Sequence, residues 1–255
     1  MRHRVLGYLV RLALSAAVLA VLAGRVEWTE AIAAVGSMDA RWALLALGLL
    51  VLATLVRVWS FMLVTNHSGG LIGFPQAAYL TLVGSAAALV LPGGSGELFK
   101  AHVGGRSLDE PEHLTVTSLV DKLTSLAAVA AMGVTGALVT RMPWLALGSG
   151  ALCAAALLLA FVPRLVPWRL LTRITAPGAD ARAERIESAH RMPSGLLVGV
   201  LAISLAGWGI SYLMIYAVAR AFAVDVSVGY IFAIAPLVTI STLLPLSVAG
   251  VGISQ

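Results

Sequence analysis

The chain has 255 residues, of which 60% are hydrophobic and only 11% charged, with a mean hydropathy of +0.95 and a formal net charge of +5. A soluble domain carries about one-quarter charged residues, so this composition excludes a soluble globular protein and places the chain in a membrane. The single cysteine, Cys153, excludes an intramolecular disulfide and a thiolate-built metal cluster, and no basic stripe carries the interleaved aromatics of a nucleic-acid surface.

Windows of about 20 apolar residues, the length that crosses ~30 Å of hydrocarbon, fall at 5–24, 42–63, 114–139, 144–162, 195–218 and 228–244, with a shorter segment at 76–91. The first window follows Arg2, His3 and Arg4, as in a signal peptide. Its apolar stretch is too long for one, and A-G-R-V-E is a poor cleavage site, so it reads as a retained span. Loop 163–194 holds Arg164, Arg169, Arg173, Arg182, Arg185 and Arg191. It should therefore be cytoplasmic, together with the amino terminus. A full crossing by 76–91 would put the two on opposite sides.

The parity is restored if 76–91 enters from the cytoplasm, breaks at Pro92-Gly93-Gly94 and returns through Gly96 to His102. Lys100 and Arg106 are then cytoplasmic, whereas Arg25, Arg41, Arg141 and Arg220 lie outside. Non-helical backbone at membrane depth needs protein or water around it, which predicts a cavity beside the break. Near the other end, "TISTLLPLSVAGVGISQ" (Thr239 to Gln255) again runs an apolar segment into Leu-Pro and glycines. By the same charge count it enters from the outside. Two broken segments of opposite orientation point to an inverted-repeat transporter with a central site; ordinary interfacial turns are the alternative.

The expected fold is therefore an all-α polytopic membrane protein with about six full spans and re-entrant or broken Pro-Gly segments. It forms one integral membrane domain over 1–255, with halves at about 1–140 and 141–255 and a cytoplasmic connector at about 163–194.

Five charges fall where lipid should be. Arg57 lies six residues before the end of its predicted span, either snorkelling to the interface or facing a cavity as an anion site. Asp121 and Lys122 lie about two turns into the next span and point about 100° apart, so they need partners. Arg57 with Asp121 and Glu97 with Lys122 are the expected pairs. Glu97 and Lys100, one turn apart, follow the glycines; Glu97 either caps a helix or leaves the N–H groups of Gly94 to Gly96 for an anion.

The runs "LPGGSGELFKAHVGGR", "SLVDKLTSL" and "LLPLSVAGVGISQ" resemble the membrane domain of lysylphosphatidylglycerol synthase and its stand-alone, flippase-like relatives. The family's first motif, a Pro-Gly break followed by Gly-Glu and a basic residue, is matched by Pro92, Gly93, Gly96, Glu97 and Lys100. Its second is matched by Asp121, Lys122 and Leu123, and its third, Pro-x-Ser then Gly-x-Gly, by Pro245, Ser247, Gly250 and Gly252. Arg57 and Trp59 fit its Arg-x-Trp. The third motif usually continues into Arg-Glu and further spans, whereas this chain reads Ser254-Gln255, as expected of a carboxyl-terminally short member. The synthase's aminoacyl-transferase domain is absent from the sequence, so lysine transfer is not expected.

The resemblance implies a lipid translocator in the cell membrane, moving an anionic lipid such as an aminoacylated phospholipid, or a polyprenyl- or glycan-linked lipid, between leaflets, or supporting the enzymes that make them. Its substrate contacts would come from Arg57, Gly93, Gly94, Gly96, Glu97, Lys100, Asp121, Lys122, Pro245, Ser247, Gly250 and Gly252. Membrane lipids are the expected partners, and no metal or cofactor is expected. Two alternatives stand beside this reading. One is an enzyme acting on lipid-linked sugars through Glu27, Glu30 and Asp39 of the first external loop, although no P-loop, GxSxG or HExxH motif occurs. The other is a scaffold for envelope-biosynthesis enzymes, docking through "ADARAERIESAHR" (Ala179 to Arg191), a segment that equally reads as a solvated connector.

Overall fold

The computed structural model describes residues 24, 27–68, 71–90, 100, 103–104, 111–162 and 193–243. The first predicted span, the Pro92–Glu97 break, the basic connector and the Pro245–Gly252 motif lie outside the described residues. All regular structure among the described residues is helical. In chain order the helices are α1 (Trp28–Gly36), α2 (Ala40–His67), α3 (Phe74–Val90), α4 (Pro111–Val139), α5 (Pro143–Phe161), α6 (Ser194–Ala221) and α7 (Val228–Leu243). Of these, α2, α4, α5 and α6 are long and apolar enough to cross a membrane.

Local chemistry sets the ends of these helices. Asp39 caps α2, its carboxylate accepting from the Arg41 N–H at 2.8 Å, and Pro143 opens α5 at a position whose N–H no helix would use. At the ends of α4 and α6, Arg141 and Ala223 adopt left-handed φ values of 58° and 56°. The N–H groups of Met142 and Val224 return to the carbonyls of Ala137 and Ala219, closing two Schellman-type turns. Between the ends, Thr54, Thr65, Ser85, Thr124 and Ser211 donate to the carbonyl four residues earlier, which satisfies hydroxyls that find no water in a bilayer.

The central element is α4, which packs against α2, α5, α6 and α7. Small residues let the backbones approach. A side chain on Gly136 would run into the backbone carbonyl of Ala233 on α7, and one on Gly133 would lie 3.0 Å from Ser149 Oγ on α5. Beside them α6 lies along α2, with Gly207 against Val56 and the Asp39 N–H donating to the Ala221 carbonyl at 2.9 Å. These contacts define two ends of the bundle, one at Asp39, Val139 and Ala221 and the other at His67, Pro111 and Ser194.

Helix α3 starts at the His67 end of the bundle. Asn66 Oδ1 accepts from the Ile72 N–H at 2.8 Å, which turns the chain at the His67 end. Ile72, Ala77 and Leu80 then pack with Val58, Phe61 and Leu114. After α3, Lys100 lies against Phe61 and Asp121, whereas a side chain on Gly104 would meet Leu114 and Leu80. Leu114 is two turns nearer the start of α4 than Asp121, so Gly104 lies nearer the Pro111 end of the bundle than Lys100 does.

The described part of α7 has 16 residues, about 24 Å at 1.5 Å per residue, and contains Pro236. Proline has no N–H to donate. It follows the Ala221 end, so α3 and α7 enter the bundle from opposite ends, the orientation expected of the two broken segments.

Candidate functional site

Lys100 and Asp121 meet inside the bundle. The Lys100 Nζ stands 3.7 Å from Asp121 Oδ2, with side-chain exposures of 2% and 10%, and 4.0 Å from the centroid of the Phe61 ring. A lone charge at this depth costs several kcal/mol, so the carboxylate and the aromatic face make burial of this ammonium tolerable. The pairing of Asp121 with Arg57 expected from sequence is therefore corrected: its counter-ion is Lys100. The fold places Lys100 at the level of Asp121, which spacing along the chain does not reveal.

Beside this pair, α2, α4 and α6 part to leave a narrow open cleft. Ala53, Val56, Arg57 and Ser60 line it from α2, Asp121 and Ser125 from α4, and Ile203, Ser204, Gly207 and Trp208 from α6. Arg57 is ten residues from the end of α2, Asp121 ten from the start of α4 and Ser204 ten from the start of α6. Each is thus about 15 Å along its helix from the same end of the bundle. Arg57 lines the cleft and is itself exposed.

The Arg57 guanidinium lies 5.8 Å from the centroid of Trp208. Among the described residues no carboxylate comes within 4 Å of it. Ser60, on the same face one turn later, is 3% exposed, and its hydroxyl makes no hydrogen bond. Thr81 and Ser118 share that condition. An unsatisfied buried hydroxyl costs about 1–3 kcal/mol, which sets these three apart from the back-bonded hydroxyls elsewhere. From Trp208 an aromatic chain continues through Tyr212, 5.9 Å away between ring centroids, to Phe232 of α7, a further 5.8 Å. The Tyr212 hydroxyl donates to Thr239 Oγ1 at 3.4 Å.

Of the predicted contact residues, Arg57, Lys100 and Asp121 come together. Lys122 is half-buried on another face of α4, with no ion-pair partner among the described residues. Gly93, Gly94, Gly96, Glu97, Pro245, Ser247, Gly250 and Gly252 lie outside the described residues. Trp59 is 51% exposed and turned away from the cleft.

Sequence reasoning missed Ser60, Ser125, Ser204, Gly207 and Trp208. The signals for them are faint: a serine one turn after Arg57, and the small-residue spacing of Ser204 and Gly207 before a tryptophan. The carboxylates of the enzyme alternative do not converge. Glu30 lies in the first turn of α1, and Asp39, beyond the far end of that helix, caps α2.

The family described as the lysylphosphatidylglycerol synthase TM region matches residues 8–255 of the chain. Comparison with curated proteins and with solved structures returns no match.

Proposed function

The chain belongs to the lysylphosphatidylglycerol synthase transmembrane-region family, and on that premise we propose that it moves the headgroup of an anionic, or polyprenyl- or glycan-linked, lipid between leaflets. The observation that carries this reading is the cleft between α2, α4 and α6, lined by Arg57, Ser60 and Asp121, the last paired with Lys100, where apolar surface is expected of a membrane bundle. Fixed charges and hydroxyls lower the cost of bringing a polar headgroup into a low-dielectric layer. The acyl chains stay in lipid, beside a bundle whose outer surface is apolar at Leu44, Leu47, Leu50, Leu55 and Leu147.

The test is leaflet exchange of headgroup-labelled phospholipid in proteoliposomes. The parent chain is compared with Glu97→Gln and with the double variant Lys100→Met/Asp121→Leu, which removes both charges and leaves neither orphaned. Exchange in the parent that falls about tenfold or more in the double variant, the size of one charge-assisted interaction, supports the proposal. Exchange unchanged by both substitutions refutes a headgroup path through this cleft.

A further inference from the structure

We infer that α1 is an in-plane membrane anchor, its ridge of Trp28, Ile32 and Val35 set into the boundary between lipid headgroups and acyl chains at the Asp39 end of the bundle. The partner is the bilayer surface itself, and the transport reading neither requires this role nor supplies it. The nine residues of α1, WTEAIAAVG, extend about 13.5 Å at 1.5 Å per residue, too short to cross ~30 Å of hydrocarbon. Trp28, Ile32 and Val35 recur at i, i+4 and i+7 and so fall within about 60° of one another around the helix, whereas Glu30 projects from the opposite side. The ridge residues are 59%, 70% and 59% exposed, and among the described residues no other helix packs along α1.

The place of α1 in the fold says what meets this ridge. The Ser37 and Met38 N–H groups return to the Ala33 and Val35 carbonyls, and the Asp39 N–H donates to the Ala221 carbonyl at 2.9 Å. A short hydrogen-bonded turn therefore ties α1 to the ends of α2 and α6, two of the helices long and apolar enough to cross a membrane. At that same end Trp144 and Tyr230 stand in the first turns of α5 and α7, 67% and 55% exposed. Exposed Trp and Tyr gathered at one end of a membrane bundle mark the level of the headgroups, and α1 leaves the bundle there. Next to it, in the first two turns of α2, Leu44 and Leu47 are exposed in turn, so the apolar surface of the ridge continues the lipid-facing surface of the bundle. An apolar ridge with a carboxylate on the far side of the helix is stable where acyl chains lie on one side and water on the other. Trp28 suits that boundary, since its indole pairs a large apolar body with one N–H donor.

The experiment uses the full chain with Cys153→Ala, carrying either Ile32→Cys or Glu30→Cys, in phosphatidylcholine vesicles. Both positions are exposed, so neither substitution disturbs the core, and both lie on α1, so the sidedness of reconstitution cancels between them. An impermeant maleimide is expected to label Ile32→Cys about tenfold more slowly than Glu30→Cys, the size of burying an apolar side chain in part. A bimane fluorophore attached at each cysteine before reconstitution then identifies what covers it. At position 32 it should be quenched by phosphatidylcholine brominated near the glycerol end of the acyl chains, and less by lipid brominated near the methyl end. At position 30 neither lipid should quench it. Equal labelling rates at the two positions would leave the ridge in water and overturn the inference. Slow labelling at position 32 without quenching by either lipid would overturn it as well, since the cover would then be protein, another part of this chain or a second copy. Stronger quenching from the methyl end would refute an in-plane position. Leaflet exchange of lipid in the same vesicles, present or absent, decides the transport reading separately.

Discussion

Removing one member of the Lys100–Asp121 pair should be far more damaging than removing both. At 3.7 Å the Coulomb attraction between unit charges is about 4.5 kcal/mol for an effective dielectric constant of 20. That agrees with the roughly 3–5 kcal/mol lost when a buried ion pair is left with one charge. The Lys100 contact with the Phe61 ring adds up to about 2 kcal/mol where water is excluded. Lys100→Met and Asp121→Leu are each expected to cost about 3–5 kcal/mol, whereas the double variant should return to within about 2 kcal/mol of the parent. Cys153 makes the measurement convenient. It is the sole cysteine, partly buried, with its thiol donating to the Ala127 carbonyl on α4. A fluorogenic maleimide added along a denaturing SDS gradient therefore reports separation of α5 from α4. Single-variant losses that simply add in the double variant would show that the two charges do not stabilise each other, and the burial argument would fail.

Three further outcomes follow from the packing. Gly136→Ala should destabilise the bundle by about 1–3 kcal/mol, because the new methyl meets the Ala233 backbone and no side-chain rotation relieves it; a parent-like unfolding midpoint would contradict the close approach of α4 and α7. Ala223→Gly should stabilise by about 0.5–1 kcal/mol, since glycine adopts the left-handed φ of 56° without the steric penalty of a side chain, and a lowered midpoint would count against the Schellman turn. After Cys153→Ala, cysteines introduced at Leu71 and Asp225, which are 84% and side-chain 97% exposed, should react with impermeant maleimide from opposite faces of the membrane, whereas labelling from one face would remove the re-entrant path of α3.

Composition and hydropathy were enough to identify the membrane solvent and the four long helices, because twenty-residue apolar runs have no other stable solution in a bilayer. Charge bias along the chain was also enough to expect α3 to turn back, since positive-inside counting depends only on sequence. Motif order carried the family. What spacing could not supply was the partner of each buried charge. Asp121 and Arg57 are 64 positions apart, and Lys100 lies between them in the chain; only the fold of α3 and its return shows that Lys100 reaches the carboxylate while Arg57 faces Trp208. Ser60 is a similar case. Its residue type matches that of many back-bonded serines, and its unsatisfied hydroxyl exists only because α2, α4 and α6 bury it beside the cleft. Periodicity and composition are local properties of a chain, whereas counter-ions, close helix approaches and unfilled hydrogen bonds are relations between helices, and these the tertiary structure alone decides.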